Sequence, residues 1–236
     1  MLWLLTAATT VVLLLIAGFV KEISKTPTVA RPAALTATAR HATASPSSRR
    51  KPPPAPSVAM VADTSSGLSY QLLASPWQRG CPTVLDTPMF SWSAGEHAVA
   101  GQVDLGGPVF DWHGNACSGQ LRQQFAYSGP ADLGPVTMGV TDAVESSYYA
   151  GLVDHGSIET SSAVQVSGHQ AWMVTFVVTY PDAASEGLAW TSESGAVVVV
   201  DRGTGQAPAV FYASVPNDLG TSDVSTLVSS LRLSPG

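Results

Sequence analysis

Asp111 and His113 stand two residues apart, so on a strand they share a face, and Asp154-His155 with Glu159 gathers acids around a second histidine. Carboxylates and imidazoles are the ligands that first-row divalent metals accept. Either group could hold such an ion if a third ligand came from elsewhere. Histidines beside acids are also common on surfaces that bind nothing, and that plainer reading is the expectation here. Glu96-His97 has the same residue types with no further mark. His169 lies in Ser167-Gly168-His169-Gln170, the pattern of a tight turn between two strands. A serine nucleophile on a strained turn needs Gly-x-Ser-x-Gly. The nearest approach, Ser91-Trp92-Ser93-Ala94-Gly95, has serine where the first glycine belongs. The sequence holds no P-loop, dinucleotide fingerprint or HExxH, and none of the acids is marked as half of a catalytic carboxylate pair. No catalytic residue, metal ligand or cofactor site is therefore assigned.

Cys81 and Cys117 are the whole cysteine complement. Neither has a CxxC partner, which argues against a metal, and an even count outside the cytoplasm argues for a disulfide. Two buried free thiols are the alternative. Among the tryptophans, Trp172 follows a core face. Trp190, between Ala189 and Thr191 in a Gly/Ser-bearing stretch, is the candidate for an exposed aromatic lining a ligand groove. A hydrophobic plug beneath a loop is the plainer reading of the same residue.

The elements that position these residues are legible from periodicity. Leu68, Tyr70 and Leu72 alternate with Ser69 and Gln71, and Phe90-Ser91-Trp92 and Phe110-Asp111-Trp112 repeat the pattern of a half-buried strand. From Asp132 to Ala150 the period becomes helical, with Val136, Val140, Val144 and Tyr148 four residues apart, Pro135 suited to the first turn and Gly151 to the stop. Only Tyr148 of the Tyr148-Tyr149 pair falls on that apolar stripe. In Ala171 to Tyr180, Trp172, Val174, Phe176, Val178 and Tyr180 share a core face. Ala196 to Val200 is an unbroken apolar run, as expected of a strand covered on both sides. Asp201 to Gly205 is a turn and Ala209 to Ser214 the returning strand. Thr221 or Ser222 caps a last helix whose Val224, Leu227, Val228 and Leu231 form one stripe. The fold class is α+β with a mostly antiparallel sheet.

Ahead of this body, Leu2 to Val20 is uncharged and as a helix would be about 28 Å long, close to the hydrocarbon thickness of a bilayer. It is expected to be an uncleaved transmembrane anchor (residues 2–20). No Ala-x-Ala cleavage site follows closely, and Phe19 stands where a lipobox would have its cysteine. Residues 21–66 are rich in Ala, Thr, Ser and Pro with a basic block at Arg49-Arg50-Lys51, the composition of a disordered spacer spanning about 35–40 Å. Residues 1–66 carry a net charge of +5 and residues 67–236 one of −11. A body so acidic repels phosphate backbones, which excludes nucleic-acid partners. The Lys and Arg after the anchor would by themselves hold the body inside the cell. The paired cysteines and the export-type linker place it outside.

The early strand ending in Pro76-Trp77, the helix with paired tyrosines, the stretch Val164-Gln165-Val166-Ser167-Gly168-His169-Gln170-Ala171 and the closing Ser230-Leu231-Arg232-Leu233 together resemble the PsbP-like domains of actinobacterial exported and membrane-anchored proteins. The resemblance covers Asp132 to Ser234 well and Gly67 to Gln120 loosely. It implies a three-layer α/β/α sandwich for residues 67–236 and a binding or accessory role, and it carries no catalytic residue. The resulting expectation is a single-pass protein of the cell envelope. Its anchor meets membrane lipid, and its extracytoplasmic domain meets a protein, glycan or lipid without a cofactor. An envelope hydrolase whose site is invisible in sequence is the alternative.

Overall fold

Alternating side chains give the longer strands, and two stretches of helical period give the α-helices of the described residues. A computed structural model of the chain describes residues 58–104, 109–149, 155–220 and 222–234. The expected anchor at 2–20 and the linker as far as residue 57 lie outside them. In chain order the elements are β1 (Met60–Ala62), β2 (Leu68–Gln71), β3 (Gln78–Arg79), β4 (Ala94–Val103), β5 (Phe110–Gln120), α1 (Leu133–Tyr148), β6 (His155–Val166), β7 (His169–Thr179), β8 (Ser192–Val200), β9 (Ala209–Pro216), α2 (Asp223–Ser230) and β10 (Arg232–Leu233). Seven strands form one sheet in the order β3-β4-β5-β9-β8-β7-β6, and β1-β2-β10 form a small second one. The pairings are antiparallel.

The large sheet is covered on both faces. α1 packs on β6, β7 and β8, while α2 lies against β2, β8 and β9, and β1 touches β4. Period two divides the strands between two cores. In β8, Val197 and Val199 join the α1 side, and Val198 and Val200 join the α2 side. The apolar run of that strand is explained by this double burial, since each fully buried Val contributes about 1.5–3 kcal/mol. Gly195 continues the α1-side series because a Cβ there would lie 2.2 Å from Phe176 Cζ. On the other side, Leu227 of α2 is fully buried and Leu231 nearly so.

The folded body begins before residue 67, so the expected linker ends too late. Met60 to Ala62 pairs with β2. Behind it, buried Asp63 accepts hydrogen bonds from the Ser65 and Ser66 amides and from the hydroxyls of Ser66, Ser93 and Ser118. Three residues are too few to display an alternation, and two of those serines come from distant parts of the chain. Ser93, the central serine of the imperfect nucleophile pattern, therefore spends its proton on Asp63. The turn between β6 and β7 is Ser167-Gly168, both at positive φ (52° and 84°). His169 is the first residue of β7 and its Nδ1 lies 3.2 Å from the Asp201 carbonyl oxygen.

Candidate functional site

Cys81 and Cys117 are joined, as their number suggested, with sulfurs 2.02 Å apart. The bridge ties the segment before β4 to the middle of β5 and passes over Gly95, where a Cβ would sit 2.8 Å from Cys81 Cβ. It thereby fixes β5, which supplies more of a cavity's lining than any other element.

That cavity, of about 380 Å³, opens where β5, β8, β9 and the end of α1 converge. Its walls include five aromatic residues, Phe110, Trp112, Tyr148, Tyr149 and Tyr212. In β4 the register slips between Val99 and Gly101, so that Ala100 is an extra residue facing the Trp112–His113 step of β5. Such a bulge re-aims side chains. Here Trp112 and His113, consecutive in β5, both reach the cavity. Val84, 75% exposed, and Phe110, 40% exposed, stand on its rim.

At the base lies Glu193, 1% exposed. Its Oε1 accepts from the Trp112 indole N–H and, at 2.8 Å, from the Tyr180 hydroxyl. Its Oε2 accepts from Ser214 Oγ and, at 3.4 Å, from the Tyr149 hydroxyl. Tyr149 in turn lies 2.7 Å from Ser214 Oγ and 3.3 Å from the Tyr212 hydroxyl. Burial pushes the Glu193 carboxyl above the usual carboxylate range, and the four donors offset part of that rise. Burial, with Tyr212 and Glu193 nearby, likewise raises Tyr149. This is a proton-holding hydroxyl network around an acid, with no Lys or Arg among the described lining residues.

Asn115 completes the polar wall. It is 6% exposed, its Nδ2 donates to the His113 carbonyl at 2.8 Å, and its Oδ1 has no hydrogen-bond partner among the described residues. Flipping the amide would set oxygen against oxygen, so the assignment is chemically determined. His113 is held below its usual pKa, first by burial and then by His97, whose ring centre is 5.4 Å away. It is therefore a neutral imidazole near pH 7.

Of the residues singled out by type, Asp111 and His113 do meet at this cavity. Glu159 is exposed, whereas Asp154 and the His155 side chain lie outside the described residues. No group of three potential ligands suited to a metal occurs among the described residues. Trp190 is not an exposed groove residue: it is fully buried, as the plainer reading had it. Gly101 makes room for its indole, since a Cβ there would lie 2.9 Å away, and Trp112 stacks over it at 5.9 Å. It supports the cavity from behind. The tyrosines also exchange roles. Tyr149 is the more buried, and Tyr148 is half-buried, donating to the Leu85 carbonyl at 2.7 Å. Tyr149 follows the last helical residue with φ −104° and ψ 2°, so the helical stripe no longer governs where it points.

Glu96, unremarkable beside His97 in the sequence, is fully buried on the opposite face of the sheet. Its Oε2 accepts from the Leu73 amide at 2.9 Å, while Oε1 has no partner among the described residues. Burial raises its pKa to about 7; the Leu73 bond and then Arg79 oppose the rise, and Asp223 adds slightly to it. A carboxyl raised in the folded state stabilises fully below its ordinary value, and that stability is lost as pH rises through the folded value. From pH 4.5 to about 7 this site should cost on the order of 2 kcal/mol, after allowance for solvent screening. Glu96→Gln should flatten the urea-midpoint profile across that window. An unchanged slope would show that Glu96 titrates normally.

Glu193, Tyr149 and Asn115 carry no motif. One signal was available: in the register Glu193, Gly195, Val197, Val199, the acid occupies an inward position of a strand.

Comparison with known proteins adds no chemistry. No family model matches the chain, and no curated protein matches it. Among solved structures, it is similar to the solution structure of cyanobacterial PsbP (CyanoP) from Synechocystis sp. PCC 6803, at 13% identity and a TM-score of 0.43. The match covers 80% of this chain and all of the other. No residue role or activity passes to this chain from a likeness at that level.

Proposed function

We propose that this protein is a membrane-tethered binding domain of the cell envelope, and that the aromatic cavity takes its small ligand on the extracytoplasmic side. The cavity carries the reading. A concave site with mainly apolar walls and a few convergent polar groups is what small-molecule binding requires, and about 380 Å³ suits a ligand of modest size. The Cys81–Cys117 bridge supports an oxidising compartment. The hydroxyls around Glu193 are engaged with one another, and Ser93 is engaged with Asp63. That arrangement favours binding over hydrolysis.

Ligand-observed NMR with the full chain in nanodiscs, empty nanodiscs serving as blank, tests the site with three probes: 2-phenylethanol, 2-phenylethylamine and 3-phenylpropionate. At least one should bind saturably, and Ser147→Trp, which places an indole in the cavity, should abolish that binding. Failure of all three, or indifference to Ser147→Trp, would overturn the site. A topology reporter fused after Gly236 tests the location. Activity of a cytoplasmic reporter alone would refute it.

A further inference from the structure

The cavity has the electrostatics of a cation site. Among its described lining residues there is no Lys or Arg, while Asp111 and Glu193 are both present. His113, the one base in the wall, is kept neutral by burial and by His97. Five aromatic residues surround the space, and aromatic faces attract weakly hydrated organic cations. The body around it carries −11, a field that raises the local concentration of cations. A small inorganic cation does not suit such walls, because aromatic carbon cannot replace its hydration shell.

Asn115 narrows the class. Asn115 lines the cavity; its Oδ1 is buried and unpartnered among the described residues, and the Nδ2 bond to the His113 carbonyl fixes which end of the amide is the acceptor. An unmatched acceptor at a binding wall selects a ligand that donates. Glu193 requires a charge rather than a donor, since its oxygens already accept four hydrogen bonds. We propose that the cavity takes a protonated amine bearing an apolar or aromatic substituent, with an ammonium N–H on Asn115 Oδ1 and the charge held between the aromatic walls and the Asp111 and Glu193 carboxyls. This rests on the binding reading above.

The probes used for that reading, joined by trimethyl(2-phenylethyl)ammonium, test the inference separately from it. 2-Phenylethylamine should bind at least about tenfold tighter than isosteric 2-phenylethanol, the increment of one charge-assisted hydrogen bond. 3-Phenylpropionate should bind weakest. The trimethylated cation, which has no N–H, should fall behind the primary amine, and Asn115→Leu should erase that difference. Asp111→Asn, at an exposed position, should weaken the amine several-fold and spare the alcohol. Equal binding of amine and alcohol, or preference for the carboxylate, would sink the cation proposal while leaving the pocket intact. A trimethylated cation as tight as the amine, in both wild type and Asn115→Leu, would overturn the role of Asn115.

Discussion

Replacing Glu193 by alanine should cost the fold about 4 kcal/mol or more, because four buried donors lose their acceptor together and an unmade buried hydrogen bond costs about 1–3 kcal/mol. Trp112, Tyr149, Tyr180 and Ser214 come from β5, the end of α1, the end of β7 and β9, so the loss loosens every element around the cavity. Glutamine should be much milder, at about 1–2 kcal/mol. Its oxygen keeps the Trp112 and Tyr180 bonds, and its amide can donate to Ser214 and Tyr149, whose hydroxyls can rotate to accept. Urea denaturation of the full chain followed by tryptophan fluorescence reads both variants. Equal damage from glutamine and alanine would mean that the network depends on the carboxylate charge rather than on its hydrogen bonds.

Removing the disulfide is the other large effect. The bridge closes 36 residues, and a loop of that length restricts the unfolded chain by about 3–4 kcal/mol. Cys81→Ala with Cys117→Ala should lower the unfolding free energy obtained from urea titration by that amount, and reduction of the wild type should match it. The damage should extend to the cavity, because Cys117 lies in β5 two residues beyond Asn115. The expected outcome is thus a lower midpoint together with weaker probe binding well below the transition. A reduced wild type that unfolds at the same urea concentration as the oxidised protein would refute the stabilising role.

The elements read from periodicity were those whose signal is local and repeated. The helix expected over Asp132 to Ala150 is α1, Leu133–Tyr148, because valines at every fourth residue line one helical face while Asp142 and Ser146 break the alternation a strand would need. The run Ala196 to Val200 belongs to a central strand because β7 and β9 flank it and both of its faces are covered. β1 was missed because three residues show no period. The Tyr148–Tyr149 assignment failed where the helix ends and the rule behind it ends too.

The cavity was illegible for a different reason. Trp112 and Glu193 are 81 residues apart, and Tyr149 and Ser214 are 65 apart. They meet only because β5, β9 and β8 lie side by side in one continuous register. Local sequence can state which side chains will be buried. It cannot state which of them will face one another, since that depends on strand order and on bulges.

By itself, then, the chain determined its two helices and its long inner strands, the acidity of its body and the even pairing of its cysteines, because these follow from composition and short-range periodicity, whereas Phe90-Ser91-Trp92, which alternates like a strand, lies outside every strand. Tertiary structure alone decided that Trp190 is a buried support and that Glu193 and Asn115 are the polar wall of a pocket. The physical reason is that burial and hydrogen-bond partnership arise only between elements brought together across the sheet.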